Sequence, residues 1–248
     1  MLRLHAVWMH LAWRGGATQE LWKGRSSTLV CSSYRDIWLE NTMAKDFHGF
    51  IRGPFFELLE GASMPAQCGG LRHRGADIAL HMGRAHWQAL RALRRSGFQL
   101  YTDLSAAFAS VVRELALTSN RSEDAAAFIF AKFGLPPEAM DDLRGILAAP
   151  DSMEVIGVTG HLRLLIEQAH DATWFTTQGL DRPATSEAGS RPGDPLGDAF
   201  FTVAVLRMLR IIREDLEAAG LVARAPFDPG VPALSPAEGA ARVQDIDG

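Results

Sequence analysis

Cysteine is scarce in this chain. Only Cys31 and Cys68 occur among its 248 residues, which is too few for a disulfide framework, so a reducing compartment is the simplest interpretation. Long apolar runs are also missing: the mean hydropathy is −0.01, and no segment reaches the roughly 20 apolar residues that span a bilayer. The segment MLRLHAVWMHLAWRGG contains two His and two Trp, which is atypical of a secretory signal. We therefore expect an intracellular protein, nuclear or cytoplasmic, without a membrane partner.

Several common catalytic signatures are absent as well. The KGRSS segment at 23–27 lacks the Gly-x4-Gly-Lys-Ser order of a P-loop. None of the eight His belongs to a His-Glu-x-x-His motif, and His81 and His86 fall on different sides of one predicted helix, which disfavours zinc. No Gly-x-Ser-x-Gly elbow indicates a hydrolase.

Charge is divided unevenly along the chain. The net charge is −4, yet residues 1–100 contain 13 Lys+Arg against 7 Asp+Glu, and residues 101–248 contain 12 against 22. A basic first part could bind phosphates, and an acidic second part could bind cations. Uneven solvation of the surface explains the same numbers equally well.

The pattern of apolar residues predicts more helices than strands. The chain is 47% hydrophobic and 22% charged, as expected of a globular protein with a core. Because the two element types are mixed without βαβ regularity, the predicted class is α+β. The predicted elements are loops with a short strand over 14–35, an extended piece and a helix over 36–60 bent or broken at Gly53-Pro54, a loop over 61–75, a helix over 76–96, a buried strand from Phe98 to Leu104, helices over 106–117, 123–133, 137–148 and 160–170, a strand over 172–177, a loop over 178–194, a helix over 196–219, and a Pro-rich loop or tail over 223–248.

Residues 100–108, LYTDLSAAF, combine an apolar stretch with a carboxylate and an aromatic ring five positions later. A carboxylate at the end of a buried strand needs a partner, and Mg²⁺ prefers such oxygen ligands. Asp103 is therefore a candidate metal ligand, although it could instead cap a helix beginning near Ser105. Phe108 by itself is most typical of a core residue on the inner face of a helix.

Residues 189–198, GSRPGDPLGD, form a predicted turn that opens an apolar helix. Gly193 allows the backbone to approach a ligand closely, and Pro195 is acceptable in the first turn of a helix. An ordinary connection from loop to helix is the alternative interpretation.

Together the two segments resemble motifs A and B of reverse transcriptases, in particular those of LINE-like (non-LTR) retrotransposons. The resemblance implies that Asp103 is the catalytic acid that binds Mg²⁺ or Mn²⁺, with the backbone carbonyl of Leu104 as a second oxygen. It also implies that Phe108 excludes a ribose 2′-hydroxyl, that Gly193 packs against the nascent base pair, and that Arg191 meets a phosphate or a base. Pro192 replaces the family's Gln, so one contact with the incoming nucleotide is lost.

The resemblance extends upstream and covers roughly residues 13–215. Residues 13–52 look like the fingers of such enzymes, which makes Arg35 the best candidate for a triphosphate or template contact, with Lys23 and Lys45 as weaker ones. In QCGGLRHRGADIALHMGR, residues 67–84, Arg72 and Arg74 could contact a nucleic-acid backbone. For Arg35, Lys23 and Lys45, a solvated surface charge is the alternative interpretation.

The implied organisation is a fingers-like region over 13–97, a partial palm over 98–222, and the tail over 223–248. Its partners would be an RNA template, a DNA primer and a dNTP. No Asp-Asp pair follows residue 198, so the paired acids of motif C are missing, and we expect a fragment that is inactive alone. Two alternatives stay open: a decayed or repurposed copy that binds only RNA or a protein, and an α+β domain with coincidental matches.

Overall fold

The computed structural model describes residues 8–24, 27–104, 106–117 and 123–222. The chain divides into two compact units, with boundaries after Pro65, Asp103 and Ile211. These boundaries differ from the predicted division between residues 97 and 98, which stays a prediction because it depends on the family resemblance. The predicted tail over 223–248 lies outside the described residues.

The first unit contains a four-stranded mixed sheet in the order β2-β1-β3-β4, with β1 at Gly15–Trp22, β2 at Tyr34–Glu40, β3 at Thr173–Thr176 and β4 at Ala184–Ser186. β1 pairs with β2 in antiparallel fashion and with β3 in parallel fashion, and β4 is antiparallel to β3. The predicted strand near 172–177 is confirmed by β3. The prediction of a plain loop over 178–194 is wrong where β4 forms.

Eight α-helices occur among the described residues: α1 Thr42–Ala62, α2 Ala76–Ala92, α3 Arg113–Leu117, α4 Glu123–Phe133, α5 Ala139–Ala148, α6 Ser152–Val155, α7 Gly160–His170 and α8 Gly197–Ala218. Helices and strands therefore mix as expected of an α+β protein. The predicted helices over 123–133, 160–170 and 196–219 are confirmed to within a residue or so. The predicted helix over 106–117 is shorter, because residues 106–110 form a turn before α3 begins.

The sequence predicts a helix bent or broken at Gly53-Pro54; helix α1 is continuous there, so the break is wrong, and the bend stays a prediction. The side chain of Asn41 caps the start of the helix, because it accepts a hydrogen bond from the Met43 amide at 2.9 Å. Pro54 lies inside the helix and costs about 3 kcal/mol there. Burial of Phe55 and Leu59, both 0% exposed, contributes about 1.5–3 kcal/mol for each side chain, which is enough to offset the proline.

Helix packing in the first unit fixes the elements around the sheet. Helix α1 packs against α7, α3 against α6, and α4 against α5. The contact between α4 and α5 is an apolar cluster whose buried members are Ala126, Ile129, Leu143 and Leu147. The resulting core holds β2, α1 and the start of α8 next to one another, as the hydrogen bonds described below show.

The predicted strand from Phe98 to Leu104, whose residues up to Asp103 belong to the second unit, is wrong. Residues 95–104 have no regular secondary structure, and Phe98, Leu100 and Tyr101 are 66%, 77% and 81% exposed. A strand needs a neighbour to pair with its backbone, and this segment pairs with no described strand. The predicted helix over 76–96 is confirmed as α2, although it ends at Ala92 and none of its residues is buried.

Candidate functional site

The turn that precedes α8 packs directly on strand β2. The amide of Trp38 donates a hydrogen bond to the carbonyl of Pro192 at 2.8 Å. Gly193 has a φ of +104°, and a Cβ atom at that position would lie 2.8 Å from the carbonyl oxygen of Trp38. Only glycine satisfies both conditions without strain. The glycine that the sequence singled out is therefore explained by a close backbone contact within the first unit.

Four buried charged side chains meet at this turn. Arg191 and Asp194 belong to the turn itself, Glu40 lies at the end of β2, and His48 lies on α1. Nδ1 of His48 lies 2.9 Å from a carboxylate oxygen of Glu40 and 3.2 Å from Oδ1 of Asp194. Arg191 forms an ion pair with the other oxygen of Asp194. The side chains of Glu40, His48 and Asp194 are 0% exposed, and that of Arg191 is 2% exposed. We call these four residues the charge cluster.

The charge cluster shifts the pKa values of His48 and Asp194. Burial pushes the pKa of His48 down, but the hydrogen bonds to Asp194 and Glu40 push it up further, so the result is a pKa above the ordinary value of 6.5. Burial pushes the pKa of Asp194 up, but Arg191 and His48 hold it well below its usual range. The cluster thus contains two carboxylates and two cations when His48 is protonated, and its charges balance.

The donor set of the charge cluster invites comparison with a metal centre. One atom from each of Glu40, His48 and Asp194 lies within 4.8 Å of the others, and zinc accepts imidazole and carboxylate ligands. However, Arg191 already pairs with Asp194, so a divalent ion would leave a net positive charge in a buried site. A proton on His48 balances the charges instead, so the charge count favours a protonated His48 over a bound metal ion.

The second predicted motif lies beside the same turn. The amide of Gly189 donates to the carbonyl of Val111, and the amide of Ser190 donates to the carbonyl of Phe108, both at 2.7 Å. The ring of Phe108 stacks on that of Phe201 with centroids 4.9 Å apart, and Phe108 is half-buried. The segment that follows Asp103 in the chain and the glycine turn are therefore neighbours in the first unit.

Arg113 connects this region to the sheet. The side chain is buried, and its guanidinium donates hydrogen bonds to the carbonyls of Gly189 at 2.7 Å, His170 at 3.1 Å and Ser186 at 2.8 Å. It also donates to the hydroxyl of Thr173 at 2.8 Å. The Arg113 side chain on α3 is thus hydrogen-bonded to the end of α7, to both β3 and β4, and to the turn.

Asp103, the predicted catalytic acid, lies in the second unit. Leu104, the next residue, belongs to the first unit. Asp103 is exposed in an irregular segment, and Leu104 is 49% exposed. Among the described residues, no group of three or more potential ligands includes Asp103. Mg²⁺ keeps several waters and binds through one or two carboxylates together with substrate phosphates, so Asp103 by itself does not constitute a magnesium site.

The predicted cations have different surroundings. Arg191 is inside the charge cluster, where its buried guanidinium is not exposed to a phosphate or a base. Arg35 is exposed on β2, and Lys23 donates to the carbonyl of Ser32 at 2.7 Å. Lys45 is half-buried in the first turn of α1. The remaining two lie in the loop before α2, where Arg72 is exposed and Arg74 is half-buried.

Sequence reasoning missed Glu40, His48, Arg113 and His170. A signal for His48 existed, because it lies on the apolar stripe of α1 that includes Ala44, Ile51 and Phe55, where a polar residue needs a buried partner. His170 is also buried: burial, together with Arg191, lowers its pKa to about 3, so the ring is neutral.

Comparisons with known proteins add no family to this description. The chain matches no protein-family model, and a comparison with curated proteins finds no relative. Within the described ranges, no helix has both the length and the apolar character needed to cross a membrane.

Proposed function

We propose that this chain is a reverse transcriptase-like domain fragment that binds an RNA template with a DNA primer. The reaction class of such a domain is transfer of a nucleotide from a dNTP to the primer 3′-hydroxyl. The observation that best supports the proposal is the contact between the two segments that resemble motifs A and B. One backbone hydrogen bond of 2.7 Å, from the amide of Ser190 to the carbonyl of Phe108, joins them, although 82 positions separate these residues. A second bond of 2.7 Å, from the amide of Gly189, meets the carbonyl of Val111 just after the first segment.

We expect the chain alone to bind primer–template without extending it. Two-metal phosphoryl transfer requires several carboxylates around the reacting phosphate. Asp103 is exposed and is not part of any described ligand group. The reaction therefore needs acids that this chain does not place beside Asp103 among its described residues, and we derive no step through a metal ion.

Nucleic-acid binding without synthesis is a second candidate function, and one observation favours it. Arg84, Arg91, Arg94 and Arg95 are exposed, and none of them forms an ion pair with a described acid. By contrast, Arg52 and Arg163 in the first unit are each paired with an aspartate at 2.7 Å or less. Unpaired arginines close together in sequence attract phosphates and release counterions on binding.

A primer-extension assay tests both candidates. The chain and its Asp103→Asn variant are incubated with an oligo-dT primer on poly-rA, dTTP and Mg²⁺ or Mn²⁺, and binding of the same labelled primer–template is followed by fluorescence anisotropy. We expect salt-dependent binding and no incorporation above that of Asp103→Asn. Incorporation abolished by Asp103→Asn would overturn the expected inactivity. Absence of binding at low salt would overturn the proposed function.

A further inference from the structure

The charge cluster joins the glycine turn to two elements that are distant in sequence. Asp194 lies 146 positions from His48, and Glu40 stands at the end of β2. From this geometry we infer that Glu40 and His48 are positioning residues, whose balanced charges with Asp194 and Arg191 hold the Gly193 turn in place.

The turn depends on the cluster because Asp194 has two roles. One carboxylate oxygen, Oδ1, accepts a hydrogen bond from the amide of Leu196 at 2.8 Å and lies 3.2 Å from Nδ1 of His48. The backbone carbonyl of Asp194 accepts from the amide of Gly197 at 2.9 Å. Asp194 therefore folds the turn locally and connects it to α1. If His48 no longer balanced the two carboxylates, repulsion between them would push Asp194 away from its place at the start of α8.

The bonds from Phe108, Val111 and Arg113 meet the turn at Gly189 and Ser190, so at Gly193 and Asp194 few other described contacts compete with this connection. On the β2 side, the described backbone bond is the one from Trp38 to Pro192, and the guanidinium carbon of Arg191 lies 5.7 Å from the ring centre of Trp38. One turn further along α1, Arg52 pairs with Asp198 at 2.7 Å, so that pair is already neutral. Among the described residues, the charges that act on His48 are thus those of Glu40 and Asp194, and Arg191 acts on Asp194.

The inference about the turn stands on geometry, whereas its consequence for ligand binding rests on the proposed function. In a reverse transcriptase-like domain this turn would lie against the primer–template. A loosened turn would then bind primer–template more weakly, even though Glu40 and His48 are buried and touch no ligand.

Hydrogen exchange measured by mass spectrometry tests the positioning role. We expect His48→Leu to lower the protection factors of the Asp194, Leu196 and Gly197 amides by about tenfold or more, because two carboxylates then face one cation. The double variant Glu40→Leu/His48→Leu removes one charge of each sign, and we expect it to restore protection to within about threefold of the unchanged protein. Amides of α4 serve as the internal reference and should change little.

Each result decides the inference. Unchanged protection of the turn in His48→Leu would overturn it, and so would an equal loss in α4, which would indicate general destabilisation. If His48→Leu does not fold, the double variant still decides, because a well-folded double variant with a protected turn is expected only if charge balance is what matters. A double variant that exchanges as fast as the single one overturns the inference.

Primer–template affinity of the same proteins separates this inference from the proposed function. Affinity should fall in His48→Leu and recover in the double variant. If the exchange results are as expected but the unchanged protein binds no primer–template, the positioning role stands and the proposed function fails. If the unchanged protein binds and the turn shows no change in exchange, the positioning role fails alone.

Discussion

Replacement of Arg113 by methionine should destabilise the first unit more than almost any other single change. Methionine fills much of the same volume but has no donors. The carbonyls of Gly189 and His170 would then lose the hydrogen bonds of 2.7 Å and 3.1 Å that the guanidinium supplies. The carbonyl of Ser186 would keep a partner, because the hydroxyl of Thr173 donates to it at 2.6 Å.

The size of the effect follows from these two carbonyls. A buried polar group left without a partner costs about 1–3 kcal/mol, so the two together predict a loss of about 2–6 kcal/mol in the free energy of unfolding. Natural domains are stable by only about 5–15 kcal/mol, so much of the total stability would disappear. Arg113→Lys should lose less, since an ammonium group can still donate to some of these oxygens.

Urea denaturation followed by far-ultraviolet circular dichroism measures the loss. Arg213→Met is a matched control, because Arg213 is exposed and its partner among the described residues is Glu217 at 2.9 Å; it should change stability by less than about 0.5 kcal/mol. A loss below about 1 kcal/mol for Arg113→Met, or a loss equal to that of the control, would refute the reasoning.

Three further predictions concern pH, the turn and metal ions. The buried neutral His170, whose pKa is about 3, makes stability fall as pH drops from 6.5 towards 3, since the unfolded chain binds the proton more readily. The raised pKa of His48 has the opposite effect and makes stability fall as pH rises through that pKa. The melting temperature in matched buffers should therefore have a maximum between these two pH ranges, and His48→Gln should reduce its fall at alkaline pH. Gly193→Ala should lower the free energy of unfolding by about 1–3 kcal/mol, because Gly193 has a positive φ and lies close to the carbonyl of Trp38. Gly49→Ala in α1, where a Cβ would have open space around it, should raise the free energy of unfolding by up to about 1 kcal/mol. Changes of the same sign for both variants in urea denaturation would contradict this explanation. Zn²⁺ or EDTA should leave the melting temperature unchanged, because the cluster's charges already balance, and a rise with Zn²⁺ that is lost in His48→Gln would show that the cluster binds metal.

The long helices could be predicted because their signals are local. Helix α8 follows a turn with glycines and prolines and has apolar residues at helical spacing, and it ends two residues before Gly220. Strand β4 could not be predicted, because three residues carry too little pattern to distinguish a strand from a loop. The segment from Phe98 to Leu104 misled the prediction, since an apolar run alone does not specify the strand with which it would pair.

The candidate site was predictable only in part. The residues 189–198 stand out in the sequence by their density of Gly, Pro and Asp, and the structure places them in a tight turn. Their partners Glu40 and His48 could not be identified, because the pairing depends on how β2 and α1 pack against residues far along the chain. The burial of Arg191 was equally hidden, since an arginine next to glycine and proline is more typical of an exposed loop.

Photocrosslinking tests the central claim most directly, namely that residues 106–111 and the turn at 189–197, both in the first unit, belong to one site at the primer end. An RNA–DNA primer–template with a photoreactive thymidine at the primer 3′ terminus is bound, irradiated and digested, and the crosslinked peptides are identified by mass spectrometry. The account predicts adducts within residues 106–111 or 189–197, with fewer at high salt. Adducts confined to other segments, or none under conditions in which the primer–template is bound, would contradict it.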